Sequence, residues 1–226
     1  MNLFSVLTLE AVSLALIAGY VDGYALRVFG IFASFMSGNT TITGVNAGQD
    51  NFAAALPPAL TIFGFVLGSF TGSWVMHSSM RAARRVLFLA AAVLIACCIG
   101  LNLHPFGHAS LSLSILSVAM GLINPAVSRV GSEPVSLTFV TGTLNKIGNH
   151  LALAVRNAPL ADAEGPSDTH FSRAALETSV WAGFLTGAIL SGVLSHHFGV
   201  MELAPAALAL LFFALVNRVQ NSPHPA

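Results

Sequence analysis

A chain of 226 residues with 8% charged and 55% hydrophobic residues, and a mean hydropathy of +0.78, carries too little charge to cover a water-soluble surface. Soluble domains carry about 25% charged residues. The formal net charge of +0 gives no field to attract nucleic acid, so nucleic acid is excluded as a partner and the lipid bilayer is the expected solvent.

A spanning helix needs about 20 mostly apolar residues. Six segments qualify: Phe4–Val28, Ala55–Met76, Val86–Leu103, Leu111–Val127, Ala174–Ser195 and Met201–Val216. The N-terminus lacks a basic region and no small-residue cleavage site follows, so the first apolar run reads as a retained span. That span holds Glu10 and Asp22 and ends near Arg27. A charge at the centre of a span costs about 2.5–3.5 kcal/mol on insertion scales, so such residues pair, face a cavity or sit at an interface. Asp22 is therefore the lining of a cation or proton pathway, half of a structural ion pair, or at an interface; its five-residue separation from Arg27 is off the favoured helical spacing.

After the first span comes GIFASFMSGNTTITGVNAG, too apolar for a simple loop and too polar for a confident span. SLTFVTGTLNKIGNHLALAV, after the fourth, has the same character. The third span contains Cys97 and Cys98, whose adjacency disfavours a disulfide and which read as apolar filler. His104 and His108 are separated by Pro105 and Gly107, and His196 and His197 end the fifth span. Pro105 and Gly107 oppose the helix that would align the first pair, neither pair has a supporting carboxylate or cysteine at metal-ligand spacing, and no cofactor motif or P-loop occurs. The stretch NAPLADAEGPSDTH is a water-exposed linker.

Basic residues set orientation. Arg81, Arg84 and Arg85 form one group, Arg129, Lys146, Arg156 and Arg173 a second, and Arg218 follows the last span. With six spans all three groups fall on one face, N-in and C-in, and Arg27 is the exception.

The two polar stretches also match. SFMSGNTTITG (Ser34–Gly44) lies over TFVTGTLNKIG (Thr138–Gly148), pairing Phe35 with Phe139, Gly38 with Gly142 and Gly44 with Gly148. Upstream, Gly19, Asp22, Arg27 and Val28 meet Gly121, Asn124, Arg129 and Val130; downstream, GFVLG (Gly64–Gly68) meets GFLTG (Gly183–Gly187). The expected architecture is an all-α polytopic transmembrane bundle forming one membrane domain over 1–226. Its repeats run approximately 4–103 and 109–218. Three spans per repeat invert the second, a plan common in secondary transporters, with the motifs as interrupted or re-entrant helices. A parallel plan of eight spans is the competitor, and it scatters the basic groups.

GYVDGYALRVFGIFASFMSGNT, with VTGT after the fourth span, resembles the YoaK-like family of small bacterial inner-membrane proteins. Ser37 stands where the commoner motif of that family has threonine. The resemblance covers essentially the whole chain. It implies a multi-pass protein of the cytoplasmic membrane and no particular substrate.

Candidate solute-binding residues are Asp22, Arg27, Ser37, Gly38, Asn39, Thr40, Asn124, Arg129, Thr141, Gly142, Thr143 and Asn145. Hydroxyls, amides and glycine-exposed backbone at broken helices can present both donors and carbonyls to a small solute; the same residues can equally serve close helix packing. Lys146 is either a counter-charge for an anionic solute or a snorkelling lysine. The favoured function is a small-solute transporter or channel-like permease without catalytic residues. The alternatives are a non-catalytic assembly or regulatory protein and an intramembrane enzyme acting on lipid. A mass of 23.5 kDa is small for a whole transport pathway and points to a homodimer.

Overall fold

The computed structural model describes residues 3–78, 82–103, 109–127, 129–130, 132–163 and 165–216, with side chains except at 3–6, 129, 196 and 200. Arg81, His104, His108 and Arg218 lie outside the described residues. The helices are α1 (Leu3–Phe29), α2 (Met36–Gly48), α3 (Phe52–Met76), α4 (Ala83–Asn102), α5 (Ala109–Ile123), α6 (Val140–Val155), α7 (His170–Phe198) and α8 (Ala204–Val216). One short antiparallel ladder joins β1 (Arg129–Val130) to β2 (Glu133–Pro134). The all-α expectation holds. Among the described residues, five helical segments are long and apolar enough to cross a membrane: Leu7–Phe29, Phe52–Met76, Ala83–Asn102, Ala109–Ala126 and His170–Ser195. A sixth apolar segment, Met201–Val216, is shorter. Phe63, Phe70 and Trp74 leave more than half their surface uncovered on α3, as a lipid-facing helix requires.

The two polar motifs fold as the short helices α2 and α6. Neither begins with a polar N-cap. The chain turns into α2 at Phe35 (φ −83°, ψ 77°) and into α6 at Phe139 (φ −96°, ψ 69°). Each aromatic ring folds back over the first turn, which is why a glycine stands three residues later. A Cβ on Gly38 would lie 2.7 Å from Phe35 Cδ1, and one on Gly142 would overlap the Phe139 ring.

The described residues form two compact units, one up to Gly23 with Val127–Val193 and one from Tyr24 to Ala126 with Leu194 onward. In the first unit α1 packs on α7 at backbone contact. Gly19 faces the Phe184 carbonyl, Gly187 faces the Leu16 carbonyl, and a Cβ on Gly183 would come within 2.7 Å of the Val12 oxygen. In the second unit α5 packs on α3 in the same way. Gly121 faces the Phe65 carbonyl, Gly68 faces the Val118 carbonyl, and a Cβ on Gly64 would lie 3.0 Å from the Ser114 oxygen. Where lipid removes the hydrophobic drive between helices, such approach supplies dispersion contacts that larger side chains would prevent. The second unit also stacks α4 against α5 and α8, with Leu87, Phe88, Ile95, Leu113, Leu116 and Met120 fully buried.

Candidate functional site

The predicted site residues divide between the units. In the second unit Ser37, Gly38, Asn39 and Thr40 form the first turns of α2. Asn39 is completely buried; its Nδ2 donates to the Phe32 carbonyl (2.7 Å) and its Oδ1 accepts from the Phe32 N–H (3.0 Å). It thus pins the bend that leads into α2. Ser37 and Thr40 are exposed, and the Thr40 hydroxyl donates to the Met36 carbonyl (2.8 Å). Arg27 pairs with Glu202, which is almost wholly buried. Asn124 lies in the short 3₁₀ turn Asn124–Ala126, and its Oδ1 is buried with no hydrogen-bond partner among the described residues.

In the first unit Asp22 is buried on α1. Arg129 lies in β1, with its side chain outside the described atoms. Thr141, Gly142, Thr143 and Asn145 lie on α6. Thr141 and Asn145 are exposed, whereas Thr143 is buried with its hydroxyl donating to the Phe139 carbonyl (3.2 Å).

The first unit also contains a charged cluster that the sequence reading missed. Glu133, on β2, is its hub and is buried. Its Oε1 lies 3.2 Å from Lys146 Nζ, while its Oε2 lies 3.5 Å from His150 Nε2 and accepts from Arg173 Nη1 at 3.3 Å. Lys146 also donates to Glu177 Oε1 (2.9 Å) and to the Pro134 carbonyl, so all three ammonium protons have acceptors. Lys146 is therefore neither a free counter-charge nor a snorkelling lysine. One turn along α6, His150 Nδ1 lies 3.0 Å from Nδ1 of His170, the first residue of α7. These two rungs, Lys146–Glu177 and His150–His170, clamp α6 against α7.

Arg173 completes the cluster. Its Nε and Nη2 donate to the two oxygens of Asp168 (3.0 Å each), and its Nη1 donates to Asp162 Oδ2 (3.1 Å). That hydrogen bond and the guanidinium charge hold the Asp162 carboxyl below the usual carboxylate range. Four carboxylates, Glu133, Asp162, Asp168 and Glu177, thus surround the two basic side chains Lys146 and Arg173. Glu177 is completely buried within a spanning helix. The helical spacing of Lys146 with His150, and of Arg173 with Glu177, was the available signal: each pair stands four apart on one face.

The comparisons agree with this architecture. The model of the family described as "Protein of unknown function (DUF1275)" matches residues 11–216. A UPF0700 transmembrane protein of Rhizobium meliloti (strain 1021) is 32% identical over 211 residues, covering 92% of this chain and 84% of the relative. No solved structure matches. The YoaK-like resemblance points to the same family, and with nearly its whole length matched, the chain belongs to the DUF1275 family of transmembrane proteins.

Proposed function

We propose that this membrane protein is a small-solute permease of the cytoplasmic membrane, built as two inverted halves, α1–α4 and α5–α8. The observation carrying this reading is the matched register of the two glycine-packed helix pairs. The alignment that sets Gly19 over Gly121, and Gly64 and Gly68 over Gly183 and Gly187, also sets their contacts over one another. Val12, Leu16 and Phe184 then correspond to Ser114, Val118 and Phe65. Such agreement follows from duplication of a unit whose halves exchange partners. The short helices support the inverted plan. At about 1.5 Å per residue, α2 with 13 residues is ~20 Å long and α6 with 16 is ~24 Å, short of the ~30 Å hydrocarbon core. With three spans in each half, α2 and α6 enter from opposite sides, and Ser37, Thr40, Thr141 and Asn145 are the exposed groups offered to a solute.

Single cysteines in a Cys97→Ser/Cys98→Ser background test the plan. Asp50→Cys and Phe198→Cys should label from outside intact cells, and Ala82→Cys and Gly165→Cys should be protected. Ser37→Cys and Thr141→Cys should label slowly, each from its own side. If Ala82→Cys and Gly165→Cys react on opposite faces, the inverted plan is wrong. Solute flux into proteoliposomes, reduced by Ser37→Val or Thr141→Val, tests the permease itself; vesicles impermeable to a broad solute panel refute it. One observation favours the non-transporting assembly reading: Asn39, the most polar residue of its motif, is occupied in bracing the Phe32 backbone.

A further inference from the structure

The five side chains Glu177, Lys146, Glu133, His150 and His170 form an unbroken chain. Successive polar atoms are separated by 2.9, 3.2, 3.5 and 3.0 Å. The chain runs from the first residue of α7 to a residue two turns deeper, ~10 Å along the helix. Each end carries a buried polar atom that no donor or acceptor of the described residues satisfies: His170 Nε2 at one and Glu177 Oε2 at the other, the Glu177 carboxyl also facing that of Glu133. A purely structural ionic network gains nothing from open ends, because each such atom carries an uncompensated desolvation penalty. We propose that this chain is a proton relay, loaded at His170 and delivering to Glu177. This deepens the permease reading by naming the proton as the coupling ion, and rests on that reading only for what the proton would drive.

The tautomers follow from the neighbours. His150 Nε2 faces the Glu133 carboxylate and therefore carries hydrogen, so His150 Nδ1 accepts. His170 Nδ1 must then donate to it, which leaves His170 Nε2 as an unpartnered base. A proton bound there lets the Nδ1 proton pass to His150 Nδ1. The His150 Nε2 proton passes to Glu133, while Lys146 first gives one of its ammonium protons to Glu177 and is then reprotonated by Glu133. One proton enters, every intermediate group returns to its starting charge, and Glu177 ends neutral. The groups facing the chain favour uptake. Asp162 and Asp168 from the linker, with Glu133 and Glu177, outnumber Lys146 and Arg173, so one added proton relieves excess negative charge. Arg173 cannot take part in transfer and serves to position Glu133.

The test is time-resolved infrared spectroscopy of the full chain in lipid vesicles, with ¹³C-glutamate labelling to separate Glu from Asp. After a drop in pH between about 8 and 5, a protonated-glutamate band should rise, and Glu177→Gln should abolish it. In His150→Asn the band should reach its normal amplitude at least roughly ten-fold more slowly; His170→Gln serves if that variant does not fold. Absence of the band in the unaltered protein overturns the relay, as does an unchanged rate in both histidine variants. Solute flux without the coupled band would remove the relay and leave the permease. The coupled band in vesicles impermeable to every solute would do the reverse.

Discussion

The α1–α7 pair of one unit and the α5–α3 pair of the other meet through equivalent glycines facing equivalent carbonyls, yet among the described residues only the first is joined to the cluster around Glu133. The offset relating Gly64 to Gly183 carries Glu177 onto Pro58, Arg173 onto Ala54 and His170 onto Asn51. The motif offset carries Lys146 onto Ile42 and His150 onto Asn46. Asn51 caps α3 by accepting from the Ala54 N–H (3.3 Å), and its own N–H reaches the Asn46 carbonyl (2.9 Å). Thus one short helix is joined to its long neighbour by a tight turn whose single charge, Asp50, is exposed, and the other by buried charge. Packing of this helix pair is achieved without ions in one unit. The ions of the other therefore answer a demand that packing does not make.

Substitutions can break that contrast. The largest effect is expected at Arg173→Ala, which removes the cation shared by Glu133, Asp162 and Asp168 and should cost about 3–5 kcal/mol in reversible unfolding in detergent. At its counterpart, Ala54→Ser should change stability by less than about 0.5 kcal/mol. Equal effects at the two positions would mean that the Arg173 contacts to Glu133, Asp162 and Asp168 contribute nothing special. Next come Gly187→Val and Gly68→Val, each placing a Cβ against a facing carbonyl and each expected to cost about 1–3 kcal/mol or more. The two costs should agree within about 0.5 kcal/mol, and a wide disagreement would break the equivalence of the pairs.

Asn39→Ala should cost about 1–3 kcal/mol because it leaves the Phe32 main chain unpaired. Thr143→Ala, its counterpart, removes only a hydroxyl bonded within its own helix and should cost clearly less in the same assay. The smallest effect is one of pH. Because Asp162 is depressed in the fold, its contribution is complete above the ordinary carboxylate value of about 3.9 and disappears as pH falls through the lower folded value. The stability difference between the parent and Asp162→Asn should therefore vanish in strong acid; a difference that persists there contradicts the pairing with Arg173.

The spans were legible because about 20 apolar residues in a row need no tertiary information. The glycine faces were legible too: Gly64–Gly68–Gly72 and Gly183–Gly187 recur at helical spacing, and their partners Gly19 and Gly121 stand at matching points of the alignment. What the sequence hid was any polar grouping that depends on a hairpin. Glu133, Lys146, His150, Asp162, Asp168, His170, Arg173 and Glu177 come from a strand, two helices and a linker. Read along the chain they resemble ordinary loop and interface charges. His104 with His108 and His196 with His197 are the histidine pairs close in sequence, whereas His150 and His170, which are in contact, are separated by the whole connector. Arg27 likewise takes a partner, Glu202, from the far end of the chain, which no local spacing reveals.

The connector between α6 and α7 has a further consequence. The path from Gly148 to Gly183 is longer than that from Gly44 to Gly64, and the surplus lies between the helices, where Asp162 and Asp168 are found. On the proposed duplication, an insertion in one copy delivered both aspartates to Arg173, so that the acidic surroundings and the cation they hold have a joint history. A chain with that insertion trimmed back to the length of its sister turn should keep its spans, lose its aspartates and expose which of its abilities arose after the two copies diverged.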